Sequence, residues 1–132
     1  MHLLAVHHVA VIASDYARSR AFYVEVLGLT VRNEVFRSER DSWMCDLDVA
    51  GRYSIELFSF PDPPPRATWP EATGLRHLAF AVPDVAAAVL ELTEHGVPCE
   101  PIRIDEHTGA AFAFFHDPDG LPLELYEVVD HA

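Results

Sequence analysis

Two glutamates sit in the middle of short apolar stretches, Ile55-Glu56-Leu57-Phe58 and Leu123-Glu124-Leu125-Tyr126. Each is preceded at long range by a histidine that opens another apolar stretch. His8 begins the run ending at Asp15 and His77 the run ending at Asp84, seven residues in both cases. Glu56 follows His8 by 48 residues (56 − 8) and Glu124 follows His77 by 47 (124 − 77). A carboxylate inside an apolar strand is costly to bury unless it is paired, hydrogen-bonded or bound to a metal. Two of them at matched positions, each with its own His, form a mixed nitrogen and oxygen donor set. That set suits one divalent ion, Zn²⁺, Ni²⁺, Co²⁺, Fe²⁺ or Mn²⁺, with coordination positions left for water or substrate, and it selects no single metal. Taken singly, His8 or His77 reads as a hydrogen-bonded structural histidine, and Glu56 or Glu124 as an exposed strand residue. The matched set of four favours the metal.

The elements that would position these residues repeat. A strand from His7 to Ala13 leads through Asp15, an expected N-cap, into an amphipathic helix ending at Leu27-Gly28. Strands follow over Thr30 to Arg37, Ser42 to Ala50 and Arg52 to Phe60, with Ala50-Gly51 as a turn. The second copy runs Arg76 to Val82, a helix opened by Pro83-Asp84 and closed at His95-Gly96, then strands over Cys99 to Ile104, Ala110 to His116 and Leu121 to Val128. The order is βαβββ twice, giving module 1 over 5–60 and module 2 over 75–129. Residues 61–74 hold five of the ten prolines and form a linker. Asp117-Pro118-Asp119-Gly120 is a tight turn.

Strand alternation then assigns faces. Val9, Val11 and Ala13 oppose His8, Ala10 and Ile12; Leu78, Phe80 and Val82 oppose His77, Ala79 and Ala81. Likewise Ile55 and Leu57 oppose Glu56 and Phe58, and Leu123 and Leu125 oppose Glu124 and Tyr126. The aliphatic faces are expected against the helices, and the His and Glu faces, rich in alanine and aromatics, around a concave interior. His7 falls on the opposite face from His8.

Composition narrows the partners. At 132 residues and 50% hydrophobic, the chain can bury a core as one domain without disulfides. Cys45 and Cys99 read as idle thiols. A net charge of −12 argues against nucleic acid and anionic membrane. With no signal-peptide pattern and no run of membrane-spanning length, the expected location is the cytoplasm.

The whole chain resembles the vicinal oxygen chelate superfamily of glyoxalase I, methylmalonyl-CoA epimerase, extradiol dioxygenases, and fosfomycin- and bleomycin-resistance proteins. The matching segments are His8-Val9-Ala10 leading to Asp15, Phe22-Tyr23 through Leu27-Gly28-Leu29, Gly74-Leu75-Arg76-His77, and Phe115 to Glu127. The resemblance implies an α+β fold of two βαβββ modules forming a cup-shaped mixed sheet, with a metal site between the modules. The metal positions of glyoxalase I fall on His8, Glu56, His77 and Glu124. Extradiol dioxygenases lack a ligand at the position of Glu56, so the similarity leans to bacterial glyoxalase I-like, lactoylglutathione lyase-like proteins. It implies a metal-dependent lyase or isomerase that moves a proton through an enediolate of a small α-hydroxycarbonyl or thiohemiacetal, with Glu124 or Glu56 as the base. Two glutathione-binding positions of glyoxalase I depart: an Arg four residues past the first ligand is Ile12, and an Asn four past the second is Phe60. Glutathione is therefore not implied. Arg37, Arg40, Trp43 and Arg76 are candidate pocket residues, with surface ion pairs and a core Trp as the alternative. The other readings are an Fe²⁺-dependent dioxygenase and a non-catalytic drug-binding resistance protein. The expected partners are a small-molecule substrate and a second copy of the chain, since open module edges invite pairing. The modules of one site could come from one chain or from two.

Overall fold

β1 (Val9–Ala13) alternates between a buried and an exposed face, with Val11 and Ala13 buried while Ile12 is 52% exposed. A computed structural model describes residues 1–129, which divide into one unit over residues 1–65 and another from Arg66 onward. In the first unit, β1 is followed by α1 (Tyr16–Ala21), a π-helical turn (Phe22–Val26), β2 (Thr30–Arg37), β3 (Ser42–Val49) and β4 (Arg52–Ser59). These strands form a mixed sheet in the order β1-β4-β3-β2, with β1 parallel to β4 and the other pairs antiparallel. The second unit holds β5 (Leu78–Val82), α2 (Val85–Glu94), β6 (Arg103–Ile104), β7 (Ala111–His116) and β8 (Pro122–Glu127). Its sheet runs β5-β8-β7-β6, again with one parallel pair, β5 with β8. The α+β class and the repeated βαβββ order are thus present as two four-stranded mixed sheets.

Helix entry follows the expected caps. Asp15 Oδ1 accepts from the backbone N–H of Arg18, and Asp84 Oδ1 from that of Ala87, at 3.1 and 3.0 Å. Each carboxylate satisfies one of the donors left free in the first turn. The first helix is shorter than three α-turns: after Ala21 it widens, and the N–H of Leu27 reaches the carbonyl of Phe22, five residues back. Phe22 and Tyr23, adjacent in sequence, are both buried there. A single π-turn is a local insertion of this kind.

Three other elements differ by two residues or more at one end from the sequence expectation. β1 and β5 start at Val9 and Leu78, because their parallel ladders begin at Val9↔Ile55 and Leu78↔Leu123. His8 and His77 therefore stand just ahead of the ladder. The strand expected over Cys99 to Ile104 shrinks to Arg103–Ile104. Pro98 and Pro101 cannot donate to a ladder, and one backbone bond, from Glu100 N–H to the Phe114 carbonyl, is what links this stretch to β7 before Arg103.

Each unit buries the aliphatic side of its sheet. Cys45, Leu47, Ile55 and Leu57 are buried in the first, and Ala113, Phe115, Leu123 and Leu125 in the second, with Val85 and Leu92 of α2. At the edge of the first unit, Arg20 grips Glu34 with two bonds, Nε to Oε2 at 2.6 Å and Nη2 to Oε1 at 3.0 Å, and Tyr16 donates its hydroxyl to the same carboxylate. The Arg20 hydrogen bonds hold the Glu34 carboxyl below its ordinary range. A carboxyl lowered on folding stabilises the protein above its unfolded pKa, and that gain is lost as pH falls through its folded pKa. Urea denaturation between pH 6 and pH 3, roughly the span of an ordinary carboxyl titration, is expected to show Glu34→Gln with a shallower acid decline than the wild type.

Candidate functional site

The register places the two glutamates equivalently. Ala10 of β1 lies opposite Glu56 of β4, and Ala79 of β5 lies opposite Glu124 of β8. His8 and His77 are each two residues before those alanines, so alternation sets every His on the same face as its Glu. In the first unit the two side chains meet: His8 Nε2 is 3.8 Å from Glu56 Oε1, with 36% and 21% of the side chains exposed. In the second, His77 and Glu124 share the face opposite the buried Leu123 and Leu125.

Tyr53 joins the first pair, which strand parity misassigns. The register of β3 and β4 steps from Leu47↔Ile55 to Asp48↔Tyr53, so Ser54 is an extra residue in β4. A bulge of this kind reverses the alternation beyond it. Tyr53 thereby stacks on the His8 imidazole at 5.0 Å, and its hydroxyl donates to Asp46 at 2.9 Å. Burial, followed by the bond to Asp46, raises the Tyr53 hydroxyl above its ordinary range, so it remains a donor. No rule of composition announces the bulge; the Ala50-Gly51 turn, with both residues at positive φ, starts the strand in that offset.

Asp46 stands directly opposite Glu56. Like charges facing each other across a ladder are destabilising, and a cation beside Glu56 would offset that. The donor types therefore fit a divalent ion. Among the described residues, no three His, Cys, Asp or Glu side chains converge as a ready metal centre; His8 and Glu56 stand as a pair in the first unit.

The second unit surrounds its pair with aromatic and cationic groups. His77 packs edge-on to Phe114 at 5.0 Å, and Phe114 lies opposite Glu124. Arg76 Nη1 is 3.2 Å from His77 Nδ1 and Arg76 Nε bonds Glu71 at 2.5 Å. Arginine can only donate, so His77 Nδ1 accepts in this arrangement and the ring proton sits on Nε2; ligation through Nε2 requires Arg76 to let go. Tyr126, two residues past Glu124, donates to Asp105 at 3.0 Å and also bonds Thr108.

Of the candidate pocket residues, Arg37 lies on the Glu56 side, its guanidinium 5.0 Å from the Phe58 ring and 5.8 Å from that of Phe60, with Nη2 donating to Ser42. Arg76 lines a cleft of about 230 Å³. Trp43 belongs elsewhere: it stacks flat on Tyr16, beside the helix. Arg40 is exposed in a short 3₁₀ turn over Ser38–Arg40. Arg103 was not among the candidates. It faces Phe112 at 5.0 Å and Phe114 at 5.8 Å, and the spacing of Arg103 from the prolines before it carried no signal of that.

Residues 5–125 match the model of the Glyoxalase/Bleomycin resistance protein/Dioxygenase superfamily. The chain is 61% identical over 125 residues to the protein YaeR of Escherichia coli (strain K12), covering 95% of this chain and 97% of that one. It is 30% identical over 143 residues to a 2-epi-5-epi-valiolone epimerase of Actinomyces sp, covering 92% and 78%. Among solved structures, SMU.1112c superposes with a TM-score of 0.90 at 48% identity, covering 96% of this chain and all (100%) of that one. The trypanothione-dependent glyoxalase I of Leishmania major superposes at 0.69 with 26% identity, covering 95% and 87%. A match over nearly the whole chain, with the βαβββ order present twice, has a plain meaning: the chain belongs to the glyoxalase/bleomycin resistance protein/dioxygenase superfamily.

Proposed function

We infer that the protein is a metal-dependent, glyoxalase I-like lyase or isomerase that shifts a proton between adjacent carbons of a small α-hydroxycarbonyl or thiohemiacetal. The observation that carries this reading is the equivalence of the two His and Glu pairs, Ala10↔Glu56 with His8 and Ala79↔Glu124 with His77. His8, Glu56, His77 and Glu124 would hold one divalent ion, the two pairs coming from one chain or from two chains of a homodimer. When bound, such an ion supplies Lewis acidity toward two vicinal substrate oxygens and lowers the pKa of the C–H between them.

The residues' own tasks follow from their places. Glu124, or Glu56 for the opposite hydrogen, takes the proton at a carboxylate oxygen and returns it to the neighbouring carbon. Tyr53 steadies the His8 ring by stacking and Phe114 bounds the His77 ring at its edge. The flanking alanines, Ala10 and Ala79, leave room above each glutamate for a substrate. The Actinomyces and Leishmania relatives support chemistry of this class, since an epimerase and a glyoxalase both move a proton next to a carbonyl. Ile12 and Phe60 stand where glyoxalase I carries glutathione-binding groups, which favours a different thiol or none. We place the protein in the cytoplasm; no helix among the described residues is long and apolar enough to cross a membrane.

The test is solvent exchange. Protein loaded in turn with Ni²⁺, Co²⁺, Mn²⁺, Zn²⁺ and Fe²⁺ is incubated in D₂O with glycolaldehyde, dihydroxyacetone, hydroxypyruvate, and methylglyoxal mixed with simple thiols. Deuterium entering the α-carbon in the loaded protein, and not in Glu124→Gln, is the expected result. No incorporation and no conversion with any metal sinks the proposal.

A further inference from the structure

The cleft of about 230 Å³ in the second unit is lined by three arginines, Arg66, Arg76 and Arg103. They are three of only nine cationic side chains in a chain of net charge −12. Such a concentration runs against the acidic background, and two of the three are already engaged. Arg66 Nη2 bonds the carbonyls of Leu75 and Arg76 at 2.7 and 3.2 Å, and Arg76 is held by Glu71 and His77. Arg103 differs: its guanidinium lies against the Phe112 and Phe114 rings, a placement that fixes the plane without using the N–H donors.

Position makes this group useful. Arg103 also lines a shallower recess of about 490 Å³ together with Glu124 and Tyr126. Phe114, beneath the guanidinium, is the direct ladder partner of Glu124 and touches His77. A planar five-donor fork therefore stands two strands from the proposed base, across β7, on the same face of the sheet.

The geometry points to Arg103 as the anchor for a carboxylate on the substrate, so that the molecule turned over is a small hydroxy or oxo acid rather than a neutral sugar or aldehyde. This rests on the proton-transfer reading for the identity of the bound molecule as substrate. A guanidinium whose donors are free pairs a carboxylate bidentately. Glu71 and Glu100 also line the cleft, so its ionised side chains sum to +1 (three arginines less two glutamates). That balance matches a monoanion better than a phosphate dianion, and it holds on the cleft side of Arg103: the recess shared with Glu124 also carries Asp105 and Glu106 and sums to −2 (one arginine less three carboxylates).

Binding is followed on the full-length protein as purified, by the ¹⁵N signals of the arginine Nε–H groups, with pyruvate, hydroxyacetone and inorganic phosphate as probes. Pyruvate is expected to shift the Arg103 signal, identified by its absence in Arg103→Gln, and hydroxyacetone to leave it in place. Arg103→Gln should weaken pyruvate by about tenfold or more, and Arg103→Lys by less. Arg32→Gln, which removes an exposed pair with Asp48, serves as the control and should leave the affinity unchanged. An unmoved Arg103 signal in the wild type, equal affinity in Arg103→Gln, equal binding of hydroxyacetone, or tighter binding of phosphate would each overturn the assignment. Arg103→Lys, which also lacks this signal, gives the same identification should Arg103→Gln fail to fold. His8→Ala separates the two readings: pyruvate binding that survives in it without α-proton exchange upholds the anchor, while absent exchange in the loaded wild type removes only the proton-transfer chemistry.

Discussion

His77→Ala and Glu124→Ala are each expected to lower the affinity for a divalent ion by at least about 100-fold, as measured by competition with a chromophoric chelator. Loss of an outer partner to a ligand already costs roughly 10- to 100-fold, so loss of a ligand itself sets that range as a floor. His8→Ala and Glu56→Ala should behave alike, because the two pairs occupy equivalent register positions. His7→Ala is the informative contrast. Alternation would set His7 on the opposite face, but it precedes the strand, and its ring packs edge-on to both His8 and Tyr53 with its Nδ1 2.8 Å from that of His8, so a milder loss is expected there. Retention of stoichiometric metal in both His77→Ala and Glu124→Ala would remove this pair from the ligand set. Equal loss in His7→Ala and His8→Ala would place the first histidine ligand in doubt.

A second large effect separates the two faces of a single strand. Leu57 is fully buried, while Glu56 beside it is partly open to solvent. Leu57→Ala is expected to cost about 2–5 kcal/mol of folding free energy, since it deletes buried methyl groups and leaves a cavity. Glu56→Leu should be close to neutral or stabilising in metal-free protein: it ends the opposition to Asp46 and adds apolar surface on an open face. In the second unit, Leu123→Ala and Glu124→Leu should repeat the contrast. Denaturant midpoints of the four variants check it. A Glu56→Leu variant destabilised as severely as Leu57→Ala would mean that the glutamate is a structural member of the sheet and not a ligand held in reserve.

The two experiments complement each other because stability and metal affinity respond to opposite faces. Arg103 adds a third readout, sensitive to an anion and insensitive to the ion. Together they distinguish a protein that binds metal, a protein that binds an acid, and one that does both.

Much was decided by local chemistry that any chain of this order would obey. The two Asp N-caps, the Pro-rich break, the βαβββ order and the facing of Glu56 away from Leu57 all follow from capping, from missing N–H groups and from the period of a strand. The placing of Glu56 and Glu124 on the face away from the buried leucines was legible because alternation is unbroken along both parallel ladders. Three features depended on contacts that alternation cannot carry. The π-turn at Phe22–Val26 lets two adjacent aromatics be buried together. The extra residue Ser54 turns Tyr53 onto the side of Glu56 and His8, a choice made by the partner strand and not by Tyr53 itself. Arg103 became notable only when β6 paired with β7 and laid it over Phe112 and Phe114. Sequence by itself determined which side chains of each strand share a face with Glu56 and Glu124, because strand period is a property of one chain segment. Tertiary structure decided which aromatic and cationic neighbours surround them, because those neighbours are set by register between segments far apart in the chain.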